Sequence, residues 1–161
     1  MFKKTITSLF KSFTKLGPRF KDNGNGTVTD TLTGLIWLKN ANPCPDGLNW
    51  TDAVAYCGLL ASGTGGLQDW SSPGMWRLPT KEELEGLGTQ PPCVWDAGYP
   101  PTQWSLPGEP FINVRTDYYY WSSTVCEGSI GNVWAVYMYD GLVSKVKKSY
   151  SNFYVWPVRN P

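Results

Sequence analysis

A chain of 161 residues has room for one domain with a substantial core, and 14 Lys+Arg against 13 Asp+Glu leave a net charge of +1. That balance supplies no overall field to draw the protein onto nucleic acid, and the absence of histidine excludes Ser-His-Asp and Cys-His nucleophile systems and histidine zinc sites together. Nine Trp, nine Tyr and six Phe, with 17 Gly and 13 Pro spread between hydrophobic runs, predict an aromatic, loop-rich fold.

The opening MFKKTITSLFKSFTKL starts as a secretory signal does, but Lys11 and Lys15 interrupt the apolar core that export requires, so no signal peptide is recognisable. Phe2, Ile6, Leu9, Phe13 and Leu16 step by four, three, four and three, which sets them along one helical stripe with the lysines elsewhere. About two heptads are too short for a stable isolated helix, so something must cover the stripe. Residues 1–17 are therefore read as an amphipathic helix ended by Gly17-Pro18, and three covers compete. These are other copies of the chain, its own domain, and a membrane surface lying against residues 1–16. A homo-oligomer is expected.

Phe20 to Leu38, FKDNGNGTVTDTLTGLIWL, places Asn23-Gly24, Asn25-Gly26 and Thr33-Gly34 between alternating β-formers, which predicts hairpins. Asp22, Asn23 and Asn25 open like a calcium loop, but the later Glu is missing and the spacing fails, so they are read as turn residues and no metal is expected. Asn49 to Ala61 predicts a first helix, with Asn49 as N-cap, Asp52 in the first turn, and Val54, Cys57 and Leu60 or Ala61 inward. In WRLPTKEELEGLG, Thr80 and Glu83 form a capping box for a second helix ended by Gly86 or Gly88. Glu82, Glu83 and Glu85 sit in its charged run and read as a solvated face, so no catalytic pair is assigned and no enzyme is expected. Residues 89–117 hold most of the remaining prolines and predict a long irregular connection.

From Tyr118 the period becomes two: YYYWSSTV, NVWAVYMY, a turn at Asp140-Gly141, LVSKVKK and FYVWPVR read as antiparallel strands of one sheet. Trp134, Val136, Met138 and Val143 fall on its buried face, and Tyr137, Tyr139, Leu142 and Ser144 on the opposite one. The fold class is α+β, two helices packed on antiparallel, hairpin-connected strands. Cys44, Cys57, Cys93 and Cys126 lack CxxC spacing, leaving four free thiols or two disulfides. Of three pairings, Cys44 with Cys57 and Cys93 with Cys126 is preferred, because the first would pin a Pro-rich loop to the following helix. Oxidised cysteines would mean an extracellular or periplasmic setting.

The ordered segments RFKDNGNGTVTDTLTGLIWLK, WTDAVAYC, WRLPTKEEL, YYYWSST, WAVYMYDG and YVWPVR resemble the Lcl C-terminal domain family, named for the trimeric head of a bacterial collagen-like adhesin. The resemblance covers residues 19–159. It implies an extracellular recognition domain at a cell surface or on a virion, with residues 18–161 as a C-type-lectin-like ligand-binding unit and a trimer as the favoured assembly. Some members bind sulfated glycans, and related lectin-like domains are the variable proteins of diversity-generating retroelements. Pro157 stands where the family often has Cys before the closing Val-Arg, which puts the usual disulfide in doubt.

In the variable proteins, substitution concentrates on outward positions near the C-terminus. Here those positions are Tyr137, Tyr139, Asp140, Ser144, Ser149, Tyr150, Ser151 and Asn152, residue types that antibody paratopes also use. Lys145, Lys147 and Lys148 add a local basic edge. The expectation is a non-catalytic domain, without cofactor, binding a protein or glycan through this surface. The rival readings are a sulfated-glycan adhesin head and a structural subunit of a fibre or virion, the last burying its aromatic face against a neighbour.

Overall fold

The computed structural model describes residues 18–88 and 110–161, so the N-terminal stripe, Cys93 and most of the irregular connection lie outside the described residues. The N-terminal hairpins form as the turn chemistry predicts. β1 (Phe20–Asp22) pairs antiparallel with β2 (Thr27–Asp30), and β2 with β3 (Ile36–Leu38). Gly24 and Gly26 adopt φ of 72° and 86° in the first turn, conformations that an L side chain resists. The Asp22 carboxylate accepts from the Gly24 N–H at 2.9 Å, and the Asn25 side-chain oxygen from the Thr27 hydroxyl at 2.7 Å, so the acidic and amide groups shape the turn.

Both predicted helices are present. α1 (Trp50–Leu59) starts on Asn49, whose side chain accepts from the Asp52 N–H at 3.0 Å. Its buried residues are Ala53 and Cys57, while Val54, expected inside, is exposed; the helix is rotated so that a small side chain meets the core. α2 (Lys81–Glu85) carries the full Thr80–Glu83 capping box and ends on Gly86. Glu83 is not on a solvated face: it makes a two-pronged pair with Arg77 at 2.7 Å per contact.

β4 (Tyr119–Val125), β5 (Asn132–Tyr137) and β6 (Leu142–Lys147) form a separate antiparallel sheet in that order. The turn before β6 is closed by the Gly141 N–H on the Tyr137 carbonyl at 2.9 Å and by Asp140, which accepts from the Leu142 N–H at 2.9 Å. The expected strand phase holds for Val136 and Met138, which are buried with Tyr120 and with Leu84 of α2. The opposite phase is not a solvent face. Val133 and Ala135 enter a second core with Trp121, Phe153, Val155 and the Ala53 and Cys57 side of α1, so the sheet is packed on both sides. Trp134, expected inside, is only half-buried, across from Lys145 of β6.

FYVWPVR does not add a strand to that sheet, which corrects the one-sheet expectation. β7 (Val158–Arg159) pairs instead with β3, giving a four-stranded sheet of order β1-β2-β3-β7. Pro157 has no N–H for a continuous ladder, and the residues before it make single bridges, Phe153 with Leu48 and Tyr154 with Tyr120. This segment stitches the two sheets together. The buried Trp156 indole donates to the Leu38 carbonyl at 3.0 Å and meets Trp37 and Phe111 edge-on.

Cys44, Cys57 and Cys126 are free thiols, and the expected Cys44–Cys57 bridge is not formed. Burial pushes the Cys57 thiol up, reinforced by Cys44, and burial raises Cys44 against a hydrogen bond from the Tyr56 phenol. Tyr56 is itself pushed up to about 12, chiefly by burial. All three groups are held protonated, and a thiol rather than a thiolate is a poor partner for exchange.

Candidate functional site

The candidate site is built where the end of the three-stranded sheet meets the segment after β6. Antiparallel register sets Tyr119 opposite Tyr137, and their rings lie 5.0 Å apart. Phe153 stacks on the other side of Tyr119 at 5.2 Å, and Tyr150 follows at 5.7 Å from Phe153. Tyr139 continues the row at 6.2 Å from Tyr137. Five rings therefore run as one strip, fixed within it by the buried Phe153 and free at its ends, where Tyr139 is 68% exposed and Tyr150 47%. Inward, Trp121 lies 4.5 Å from Phe153, so the strip is continuous with the second core.

Polar groups hold this strip in place. The Tyr119 and Ser144 hydroxyls approach to 3.3 Å, and the Asn152 amide donates to the Tyr118 hydroxyl at 3.1 Å. Tyr118 also sets its ring edge-on to Tyr119 and Phe153, at 5.8 and 5.2 Å. A close backbone approach positions the segment behind them. Gly47 adopts φ of 72°, and a Cβ there would stand 2.5 Å from the Asn152 carbonyl carbon. The neighbouring Leu48 N–H donates to the Phe153 carbonyl at 3.0 Å, and the Trp121 indole to the Leu48 carbonyl at 2.8 Å. Ring positions on the surface are thus set by hydrogen bonds made underneath.

Of the residues singled out from sequence, Tyr137, Tyr139, Ser144, Tyr150 and Asn152 come together on or beside this strip. Ser149 and Ser151 are exposed within its closing segment, and Asp140 serves the adjoining turn. The lysines do not join them. Lys145 lies across from Trp134 and Lys147 across from Asn132, on the face of the sheet opposite to Tyr137 and Ser144. Lys148 stacks on the Trp50 ring at 4.3 Å. Among the described residues β6 is an edge strand, and its exposed lysines are of the kind that discourages pairing with another chain. Lys81, paired with Glu82 at 2.8 Å, sits over Trp134 at 5.9 Å and adds a cation on that same lysine face.

Tyr118, Tyr119 and Phe153 are the site residues that sequence reasoning missed. The run Tyr118-Tyr119-Tyr120 was a signal that was available, since consecutive strand residues must send rings to both faces. No described residue of the strip carries a formal charge, so it can offer aromatic area and neutral hydrogen-bonding groups but no ionic grip.

No curated protein matches the chain. The family model of the Lcl C-terminal domain matches residues 26–159, which include every strand but β1, both helices and every ring of the strip. By that match the chain belongs to the Lcl C-terminal domain family.

Proposed function

We propose that this domain is a non-catalytic, adhesin-like recognition module of C-type-lectin-like type, working outside the cell and contacting a protein ligand through the Tyr139–Tyr137–Tyr119–Phe153–Tyr150 strip. One observation carries the reading: the row of rings is anchored in the core and open at both ends. Rigid aromatic area with Ser and Asn at its margins loses little entropy on binding, which suits a paratope-like surface. Family membership supports the adhesin-like role.

The separation of lysines from tyrosines favours a protein over a sulfated glycan at this strip, because a polyanion would need cations beside the stacking rings. Heparin and dextran sulfate are the probes that test the distinction. Retention of the full chain on either, lost in Lys145→Ala/Lys147→Ala but kept in Tyr139→Ala, would move recognition to the lysine face. For the protein reading, Tyr139→Ala/Tyr150→Ala should abolish adhesion to surfaces that the parent protein recognises, at unchanged melting temperature. Adhesion that survives this pair refutes the assignment. Whether the surface is diversified is tested by resequencing the locus across a clonal lineage, where substitutions should fall on codons for the strip and its margins.

A further inference from the structure

Among the described residues β6 closes one side of its sheet, with β5 along only one of its two edges. The backbone phase is set at the end of the strand, where the Lys148 N–H donates to the Gly131 carbonyl at 3.0 Å. Across the ladder, the Asn132 carbonyl accepts from the Cys126 N–H at 3.3 Å, on the β4 side. Lys147, the residue opposite Asn132, therefore turns its own N–H and C=O away from β5. Alternation gives Lys145 and Val143 the same outward phase. The Lys147 carbonyl accepts from the Tyr150 N–H at 3.1 Å. The Lys147 N–H and the N–H and C=O of Val143 and Lys145 have no backbone partner among the described residues.

Charge follows the same alternation. Lys145 and Lys147, whose backbone groups face outward, carry exposed ammonium groups on one face of the sheet, and the residues between and before them, Val146 and Ser144, are neutral on the other. Neither lysine has a carboxylate partner among the described residues. From Gly141 to Pro161 the chain carries Lys145, Lys147, Lys148 and Arg159 and no acidic residue. Lys81, on the same face over Trp134, already has Glu82 beside it at 2.8 Å, so the uncompensated charge of this face lies on the edge strand.

We propose that β6 accepts an added antiparallel strand from an acidic protein segment, one with carboxylates at alternate positions opposite Lys145 and Lys147. The open backbone groups would bond any extended chain, and the cross-strand charge pairs choose which one. A second copy of β6 would set lysine against lysine, so the groups that repel a like strand are the ones that select an acidic strand. A sulfated glycan could meet the ammonium groups but could not continue a backbone ladder, and the open ladder beside the lysines therefore favours a polypeptide. This edge is a second site, separate from the ring row, and stands whether or not that row binds a ligand.

Amide-resolved hydrogen exchange of the full chain tests this with a short acetylated peptide alternating Glu and Thr, its Gln–Thr counterpart and heparin as probes. At saturating Glu–Thr peptide, exchange at the Val143, Lys145 and Lys147 amides should slow by about tenfold or more, while Ser144 and Val146, whose N–H groups face β5, should not change. The Gln–Thr peptide should bind about tenfold more weakly. Lys145→Glu/Lys147→Glu alters only exposed side chains, so thermal melts should show it folded. It should lose the Glu–Thr peptide and gain an alternating Lys–Thr one. Tyr139→Ala/Tyr150→Ala should bind the Glu–Thr peptide as wild type does, which separates the edge from the ring row. No binding of the Glu–Thr peptide, or binding without slowed exchange at those three amides, overturns the proposal. So does heparin binding that needs both lysines while the peptide leaves these amides unchanged, which would give the edge a glycan instead of a strand.

Discussion

The two sheets reach stability by different routes. Strands of two to four residues make up the four-stranded sheet, and turn chemistry and ion pairs at its margins secure them. Arg19 grips Asp30 with two contacts at 2.9 and 2.8 Å and reaches the Gly86 carbonyl at the end of α2. The three-stranded sheet has strands of six and seven residues and is buried on both faces by aromatic and aliphatic side chains. Local polar geometry specifies the first sheet, and long-range ring packing the second. Only the second can therefore extend its packing outward as a strip of rings and present the end to a ligand.

The largest effect should come from the residue that joins the two systems. Trp156→Ala removes a buried ring, its hydrogen bond to Leu38 and its edge contacts with Trp37 and Phe111, and should cost about 3–5 kcal/mol. Loss of a single cooperative thermal transition would show that the sheets depend on this stitch. Trp156→Phe should recover most of it, leaving the Leu38 carbonyl unpaired.

Next comes the clamp on the first sheet. Asp30→Ala strands a partly exposed Arg19 and should cost about 2–3 kcal/mol, below the value for a fully buried pair because Arg19 still reaches solvent. Burial alone would raise the Asp30 carboxyl; the Arg19 contacts, the Leu32 N–H and the Thr33 hydroxyl outweigh it and hold the group below its ordinary 3.8. Glu83 is held below 4.5 in the same way, with burial opposed by Arg77 and the Thr80 N–H. For such depressed groups the unfolded chain binds the proton first, so their stabilising contribution is complete above the ordinary carboxylate range and lost as pH falls through the lower folded value. Unfolding midpoints should hold steady from neutral pH to about 5 and then decline, with the decline smaller in Asp30→Asn.

These contrasts also explain what the sequence made legible. Asn-Gly turns, the Asn49 cap and the Thr80–Glu83 box rest on contacts within a few residues, so each was readable and each formed. The α+β class followed from them. The register that opposes Tyr119 and Tyr137 spans a loop, and the exit of FYVWPVR to the other sheet depends on β3, far away in the chain; neither has a local signal. The second core was visible in principle, because NVWAVYM has apolar residues in both strand phases, the pattern of a sheet covered on both faces. The separation of Lys145 from the tyrosines follows from strand alternation alone, because Ser144 and Lys145 are adjacent and point to opposite sides.

A smaller effect should follow at the joint behind the strip. Gly47→Ala puts a methyl group against the Asn152 backbone at a position of positive φ, and should cost about 1–3 kcal/mol. If the strip depends on this close approach, ligand adhesion should fall more than stability at a temperature where the protein stays folded. Equal loss of both would mean that the joint supports the whole domain rather than the ring row.

The smallest stability effect, and the sharpest functional one, belongs to the row itself. Tyr139 is mostly exposed, so Tyr139→Ala should change unfolding free energy by no more than about 0.5 kcal/mol. Tyr137 is half-buried against Tyr119, and Tyr137→Ala should cost about 1 kcal/mol through the lost ring pair. Tyr137→Phe separates stacking from hydroxyl chemistry: it keeps the ring beside Tyr119 and should keep stability, while adhesion tells whether the phenol contacts the ligand. A double variant of Tyr137 and Tyr139 with additive stability loss but no further loss of adhesion beyond the first substitution would show that the ligand reads the two rings as one unit. Loss above about 3 kcal/mol for Tyr139→Ala would place that ring inside the core, and the open end of the strip would then not exist.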